Sequence, residues 1–427
     1  MRFRANLAAA SALLVLAIWL SSGTMAPYAS TFFRPIVSTP CRYLYNPDHP
    51  LHEAAFWMLD RQPPDRWQSS IVLRRLLFPL AAYPFMKVAG FEVGGFIASV
   101  LCHLAALAAL ALFLRRRYGD EAALAGMWLL AVYPGITYWA ALPYANAAIV
   151  PASIALYVLL ADLAEDLGLG AVALRSTAMG VLFTAYDLSP FFGLAGLLIL
   201  LRRRRFAALP LAAACMSAGP VLSWLLLEKV FHVPWANTNT ALYAIVARAY
   251  LHPPALGIWV RSLSDFLPAA IGTFFYSNLL FLPALFIAVV VIARRPLTLP
   301  EGALFVSVAV VFLFNNLAPP YAGRWQMRGV FIPRLYQPMF VGLLCYCARL
   351  LGDWRALPPF KARLVFAVSV LAFAANASIA FGPIARVSWA GFVYQRFYQH
   401  SDPGTMDANL ARYGRRPLGF CADGKEP

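Results

Sequence analysis

Arginine occupies every second gap between the apolar runs of this 427-residue chain, and no other feature restricts its fold as tightly. Arg2 and Arg4 precede the first run. Arg115-Arg116-Arg117, then Arg202 through Arg205, then Arg294-Arg295, then the group Arg349, Arg355, Lys361 and Arg363 fill later alternate gaps. A bilayer sorts loops in this way, because short loops rich in Lys and Arg stay on the cytoplasmic side. The intervening gaps then face outward, and they hold most of the Asp, Glu, His and Trp. Only 13% of the residues are charged, about half of what soluble domains carry, which excludes a water-soluble enzyme. The net charge of +16 sits mostly in short loops beside apolar runs, where it sets orientation and meets anionic headgroups. No separate basic patch exists to suggest nucleic acid.

The pattern predicts an all-α polytopic membrane protein with about eleven transmembrane helices, the N-terminus inside and the C-terminus outside. The runs are about 6–25, 94–114, 122–141, 144–162, 171–187, 188–201, 206–227, 272–293, 302–318, 331–350 and 362–381. A single transmembrane domain spans 1–381, with outer loops at 26–93, 228–271 and 319–330, and 382–427 forms an extracytoplasmic tail. The first run has the basic start of a signal peptide, but its roughly 20 apolar residues suffice to cross a bilayer uncleaved. Residues 171–201 read as two short helices or one broken at Asp187-Leu188-Ser189-Pro190, because Pro disfavours helix in the residue before it. Segment 71–90 holds Arg74, Arg75, Pro79, Pro84 and Lys87, which suits an interfacial or re-entrant helix. There is no internal repeat of the kind that inverted-repeat transporters show.

The first outer loop reads Tyr45-Asn46-Pro47-Asp48-His49-Pro50-Leu51-His52-Glu53, followed by Asp60, Asp65 and Arg66. Carboxylates gathered above a membrane entrance suit a general base for an incoming hydroxyl. Asp48 stands out, held between prolines and next to His49. The plain alternative is a solvated loop whose acids pair with Arg42, Arg61 and Arg66. His49, His52 and Glu53 lack the helix-borne spacing of zinc hydrolases, so no metal set is assigned and a divalent cation is left open. Arg74 and Arg75 suit bidentate capture of a phosphate, or simple headgroup anchoring. Arg324, Arg328 and Arg334 form a second basic set, with Trp325 among them. Arg334 lies in an apolar run and is expected to face the protein interior. Asp187 near the end of a run marks a site unless it caps the next helix through Ser189 and Pro190. His103 reads as an interhelical hydrogen bonder. Aromatics from Tyr133 to Tyr144 form an interface belt or stack on a sugar or prenyl chain. Cys41 and Cys421 both fall in outer segments, where oxidation allows a disulfide.

The order of these parts resembles the GT-C superfamily of integral-membrane glycosyltransferases, in particular the PIG-V-type mannosyltransferases. The parts are a first helix, an acidic outer loop, Leu73-Arg74-Arg75-Leu76-Leu77-Phe78-Pro79-Leu80 with Tyr83-Pro84, and a span ending in Arg115-Arg116-Arg117-Tyr118. The Tyr133-Pro134 to Leu142-Pro143-Tyr144 turn comes next, then Pro190 leading to Arg202–Arg205, and a late loop with Arg328 and Arg334. The resemblance covers about residues 1–230 and 320–350, and is one of architecture. It implies inverting transfer of a sugar from a polyprenyl-phosphate-linked donor to an acceptor on the outer face. It implies a base in the first outer loop, Asp48 or else Asp60 or Asp65, and donor-phosphate binding by Arg74, Arg75, Arg328 or Arg334. Tyr144, Asp187 and Trp325 would line the substrate pocket. The chain departs from the family in lacking a Trp-Asp pair after the first helix. The arginine-rich composition points to a bacterial inner membrane. Two other readings fit the architecture: a lipid or solute transporter or flippase, and a non-catalytic partner among envelope-assembly proteins.

Overall fold

The computed structural model describes residues 2–25, 49–64, 73–133, 140, 145–233, 281–317 and 338–381. Every regular element among them is helical. In chain order these are α1 (Arg2–Met25), α2 (His49–Leu59), α3 (Leu77–Tyr118), α4 (Asp120–Ala131), a 3-10 turn (Ala145–Ala148), α5 (Ile149–Leu163), α6 (Leu169–Phe183), α7 (Ser189–Arg202) and α8 (Ala208–Leu225). After them come α9 (Phe281–Ala293), α10 (Leu299–Leu317), α11 (Pro338–Gly352) and α12 (Pro359–Phe381).

The bundle is organised around α11, which is buried along its length from Pro338 to Ala348. A helix apolar on every side belongs in a core, and small residues let its neighbours approach. A Cβ on Gly126 of α4 would meet Leu114 and Ala348, and one on Gly352 would meet Ala122. Beyond α4, Tyr133 stacks on Phe340 with ring centroids 4.8 Å apart and planes 8° from parallel. A second close crossing joins α6 to α8. A Cβ on Gly180 would come within 2.6 Å of the Met216 carbonyl, and one on Gly219 would run into the Gly180 carbonyl. Small residues that bring backbones together are a common solution where lipid supplies no hydrophobic drive between helices.

Four helical stretches among the described residues are long and apolar enough to cross a bilayer: Arg2–Trp19, Val93–Tyr118, Ala145–Leu163 and Ala208–Val230. Shorter apolar helices accompany them. The expected single span at 122–141 is not a continuous helix. α4 ends at Ala131 and Tyr133 is already non-helical, as Pro134 in the sequence favours. The 171–201 region is two helices, α6 and α7, with Pro190 in the first turn of the second. α3 is bent at Gly90, whose φ of 81° and ψ of 165° interrupt the helix. The limb before the bend buries Phe78, Ala82 and Met86 at a four-residue spacing. It also exposes Leu80, Phe85 and Val88. An apolar face open to the surroundings and a charge at Lys87 suit a helix lying along an interface.

One end of the bundle collects the basic loops. Arg117 pairs with Glu165, Arg175 with Asp162 and Arg295 with Asp353. Arg203 and Arg205 donate to the Ala164 and Leu167 carbonyls. Arg115 lies over the Phe3 ring at 4.5 Å, bringing the start of α1 to the same end. Arg349 also belongs to this end. It donates to the fully buried Glu301 at 3.0 Å and to the Pro296 carbonyl. Arg175, which stands inside an apolar run in the sequence, is thus an end residue with a carboxylate partner.

Candidate active site

At the opposite ends of α6 and of the first α3 limb, two chain segments separated by more than a hundred residues meet. Arg74 and Arg75 precede α3 by three and two residues, and Tyr186 and Asp187 precede α7 by the same intervals. The Leu77 amide donates to the Thr184 carbonyl at 3.2 Å and joins the two segments through the backbone. Arg74 grips Asp187 in bidentate fashion, Nε to Oδ1 and Nη2 to Oδ2, each at 2.9 Å. Arg75 Nη2 adds a 2.6 Å bond to Oδ2. The Arg75 guanidinium also lies 4.0 Å above the centre of the Tyr186 ring. Arg75 is the more enclosed arginine, its side chain 11% exposed against 30% for Arg74.

This geometry sets the electrostatics. Burial alone pushes the Asp187 carboxyl up, but the Arg75 and Arg74 guanidiniums beside it outweigh burial and hold it below the usual carboxylate range. Burial likewise opposes the charge on Arg74, and Asp187 restores it. Two donors remain. Arg75 Nε and Tyr186 Oη are both shut from solvent and have no hydrogen-bond partner among the described residues. Buried donors without acceptors are rare in folded proteins and mark places where a partner is missing.

Asp187 does not cap α7, which removes the capping alternative that the sequence left open. Leu188 takes the N-cap position of α7 with no side-chain bond, because the two guanidiniums hold the carboxylate elsewhere. Asp60 does not stand in a solvated loop paired with Arg61; its partners among the described residues come from α3 and from its own turn. It accepts from Lys87, from Gln62 at 3.2 Å and from Tyr83 at 3.3 Å. Lys87 and Gln62 hold its carboxyl below the ordinary range, which makes it a weaker base near neutral pH. Among the described residues, His103 makes no bond across helices. Its Nδ1 meets the Ser99 carbonyl of its own helix at 2.7 Å, and Nε2 has no partner among the described residues. Asp48, Asp65, Tyr144, Trp325, Arg328, Arg334, Cys41 and Cys421 lie outside the described residues. No group of three metal-ligating side chains is present among the described residues.

The sequence marks Arg74, Arg75 and Asp187 separately and gives little warning of Tyr186. Its one signal is its position beside Asp187.

The helical architecture is shared with a solved membrane-protein structure. That structure is ArnT from Cupriavidus metallidurans bound to undecaprenyl phosphate, with a TM-score of 0.51 and 15% identity over 94% of this chain and 74% of that one. The same protein in its apo state superposes with a TM-score of 0.47, again at 15% identity. No protein-family model matches the chain, and no curated protein matches it.

Proposed function

We propose that the chain is an integral-membrane glycosyltransferase. It moves a sugar, with inversion, from a polyprenyl-phosphate-linked donor to an acceptor on the extracytoplasmic face of a bacterial inner membrane. The observation that carries this reading is the Arg74–Arg75 pair, fixed at the meeting of two helix starts in a GT-C fold. Guanidiniums held in a low-dielectric setting stabilise the charge that develops on a departing phosphate. The ArnT structure was solved with undecaprenyl phosphate bound, a lipid of the chemistry this pair suits. Arg328 and Arg334 are proposed as further phosphate ligands, and Tyr144 and Trp325 as pocket walls. Asp48 is the proposed base that takes the acceptor proton. Asp65 is the next choice, and Asp60 comes after it because Lys87 lowers its basicity. The eleven crossings, the cytoplasmic N-terminus and envelope-assembly partners belong to the same proposal. The transporter reading needs ionisable groups along a path through the membrane. Arg175 and Asp187 are instead paired at opposite ends of α6, which lends that reading no support.

The test uses purified protein in lipid, a panel of radiolabelled polyprenyl-phosphate sugars, and membrane extract as acceptor. Label transfer that is lost in Asp48→Asn supports both the activity and the base. Transfer that survives keeps the activity and moves the base to Asp65 or Asp60. A folded protein that transfers from no donor refutes the glycosyltransferase reading.

A further inference from the structure

The bend in α3 at Gly90 is spanned by a second helix, and the arrangement bears on where Arg74 and Arg75 stand. The φ of 81° and ψ of 165° at Gly90 lie in a region essentially open to glycine alone. The bend folds the first limb back so closely that a Cβ on Gly94 would come within 2.3 Å of the Phe85 and Met86 backbone. That approach limits how far the bend can close. Nothing in the glycine itself stops the bend from opening.

α2 supplies the stop. Phe56 lies against Tyr83 on the limb and against Phe91 beyond the bend, its ring centroid 6.0 Å from each. One turn on, just past the end of α2, Asp60 accepts from Tyr83 and Lys87 of the same limb. Phe56 and Asp60 share the spacing of Tyr83 and Lys87, one helical turn in each case, so a stripe of one helix meets a stripe of the other. Another face of α2 is held as well. Ala54, Ala55 and Met58 form a small apolar cluster, apart from the main core, with Leu73 and Leu76 on either side of the two arginines. Leu227 and Val233, just after α8, complete it.

We propose that α2 is a brace across the Gly90 bend, and that Phe56 and Asp60 are positioning residues that hold Arg74 and Arg75 in place for the donor phosphate. The assignment rests on the glycosyltransferase reading, and it gives Asp60 a role other than the base. Leverage makes the brace matter. From Leu77 to Gly90 the limb is about 20 Å long at roughly 1.5 Å per residue. A turn of about 3° at the bend therefore displaces its far end by about 1 Å, an error that can cost about a hundredfold in rate. The far end is tied to the α6–α7 junction through Asp187 and the Leu77 amide, so an opening bend pulls on the bonds that orient both guanidiniums. Aromatic pairs and an exposed ion pair each contribute modestly to stability. The brace can be undone while the bundle stays folded.

The experiment places nitroxide labels at positions 80 and 112, both exposed, in the full chain with its native cysteines replaced and in nanodiscs. Pulsed electron paramagnetic resonance reads their separation. In Phe56→Ala it should grow by about 2 Å or more, the travel of position 80 for a turn of about 10° at Gly90, and its distribution should broaden. Turnover is measured on unlabelled protein with a radiolabelled polyprenyl-phosphate sugar. Phe56→Ala should lose about tenfold or more in kcat with little change in donor KM, because the arginines act on charge that develops as the bond breaks. Asp60→Lys and Lys87→Asp should each lose kcat likewise, and the exchange that carries both should regain most of it. A carboxylate needed as base at position 60 would not survive that exchange. Label distances that stay at wild type in Phe56→Ala overturn the brace. Wild-type kcat in a variant whose bend has opened overturns the positioning role, and an exchange no better than its single variants overturns the role given to Asp60. Should Phe56→Ala fail to fold, Lys87→Asp carries both measurements, since an exposed pair is broken at little cost. A wild type that transfers from no donor defeats the underlying reading, and the label distances then judge the brace by themselves.

Discussion

At the scale of single residues, Tyr186 separates a binding role from a stabilising one. Its hydroxyl is buried with no partner among the described residues, and an unsatisfied buried polar group costs about 1–3 kcal/mol. Tyr186→Phe keeps the ring beneath Arg75 and removes that cost. The variant should therefore be more stable by about 1 kcal/mol, read as a higher Tm in detergent, while its KM for the donor rises. A lower Tm with an unchanged KM would remove Tyr186 from the site. Acid sensitivity gives a second residue-scale prediction. The folded-state pKa of Asp187 is depressed, so its contribution to stability is present above the ordinary carboxylate range and is lost as pH falls through the lower folded value. The Tm difference between wild type and Asp187→Asn should be constant from about pH 6 to pH 8 and should shrink only at the acid end, below about pH 4. A difference that vanishes near neutrality would contradict the ion pair. Both arginines and Asp187 were legible one by one in the sequence, from charge placed beside apolar runs. Their pairing was not, because 113 residues separate Arg74 from Asp187 and only the tertiary fold brings them together.

At the scale of elements, apolar runs gave the helices more reliably than they gave the breaks. The limits of α5, α10 and α12 fall within a few residues of the runs at 144–162, 302–318 and 362–381. The run at 122–141 failed because hydropathy does not register the proline that ends a helix, and α4 stops three residues before Pro134. Glu301 was invisible as a core residue, although Thr298 and Glu301 have the spacing of a capping box. The Glu301 carboxylate does accept from the Thr298 amide at 2.7 Å. The α6–α8 crossing carries the element-scale prediction. Gly219→Leu places a branched side chain against the Gly180 backbone, where overpacking costs about 1–3 kcal/mol and more if the helices must separate. Its Tm should fall by several degrees, whereas Gly170→Ala, with open space around its Cβ, should leave the Tm unchanged. Equal effects at both positions would mean that the crossing is not tight.

At the scale of the whole molecule, the alternation of arginine predicted that distant loops would share one end of the bundle, and the ion pairs of Arg117, Arg175 and Arg295 gather there. Opposite ends of the fold should therefore label from opposite sides of the membrane. With all six native cysteines replaced, a cysteine at position 204 in sealed inverted vesicles should react with an impermeant maleimide. One at position 61 should react only in right-side-out vesicles. Labelling of both from one side would refute the orientation.

The first limb of α3, with Leu80, Phe85 and Val88 uncovered, has a consequence for how a reactant arrives. A helix lying along an interface, as that exposed face suits, would set Arg75 at the level of lipid headgroups. The proposed prenyl-anchored donor would then reach it by sliding sideways through the leaflet without entering water. The quantity that governs its encounter is then its mole fraction among the lipids. Adding inert phospholipid at constant donor and enzyme would slow turnover, though nothing in the aqueous phase had changed.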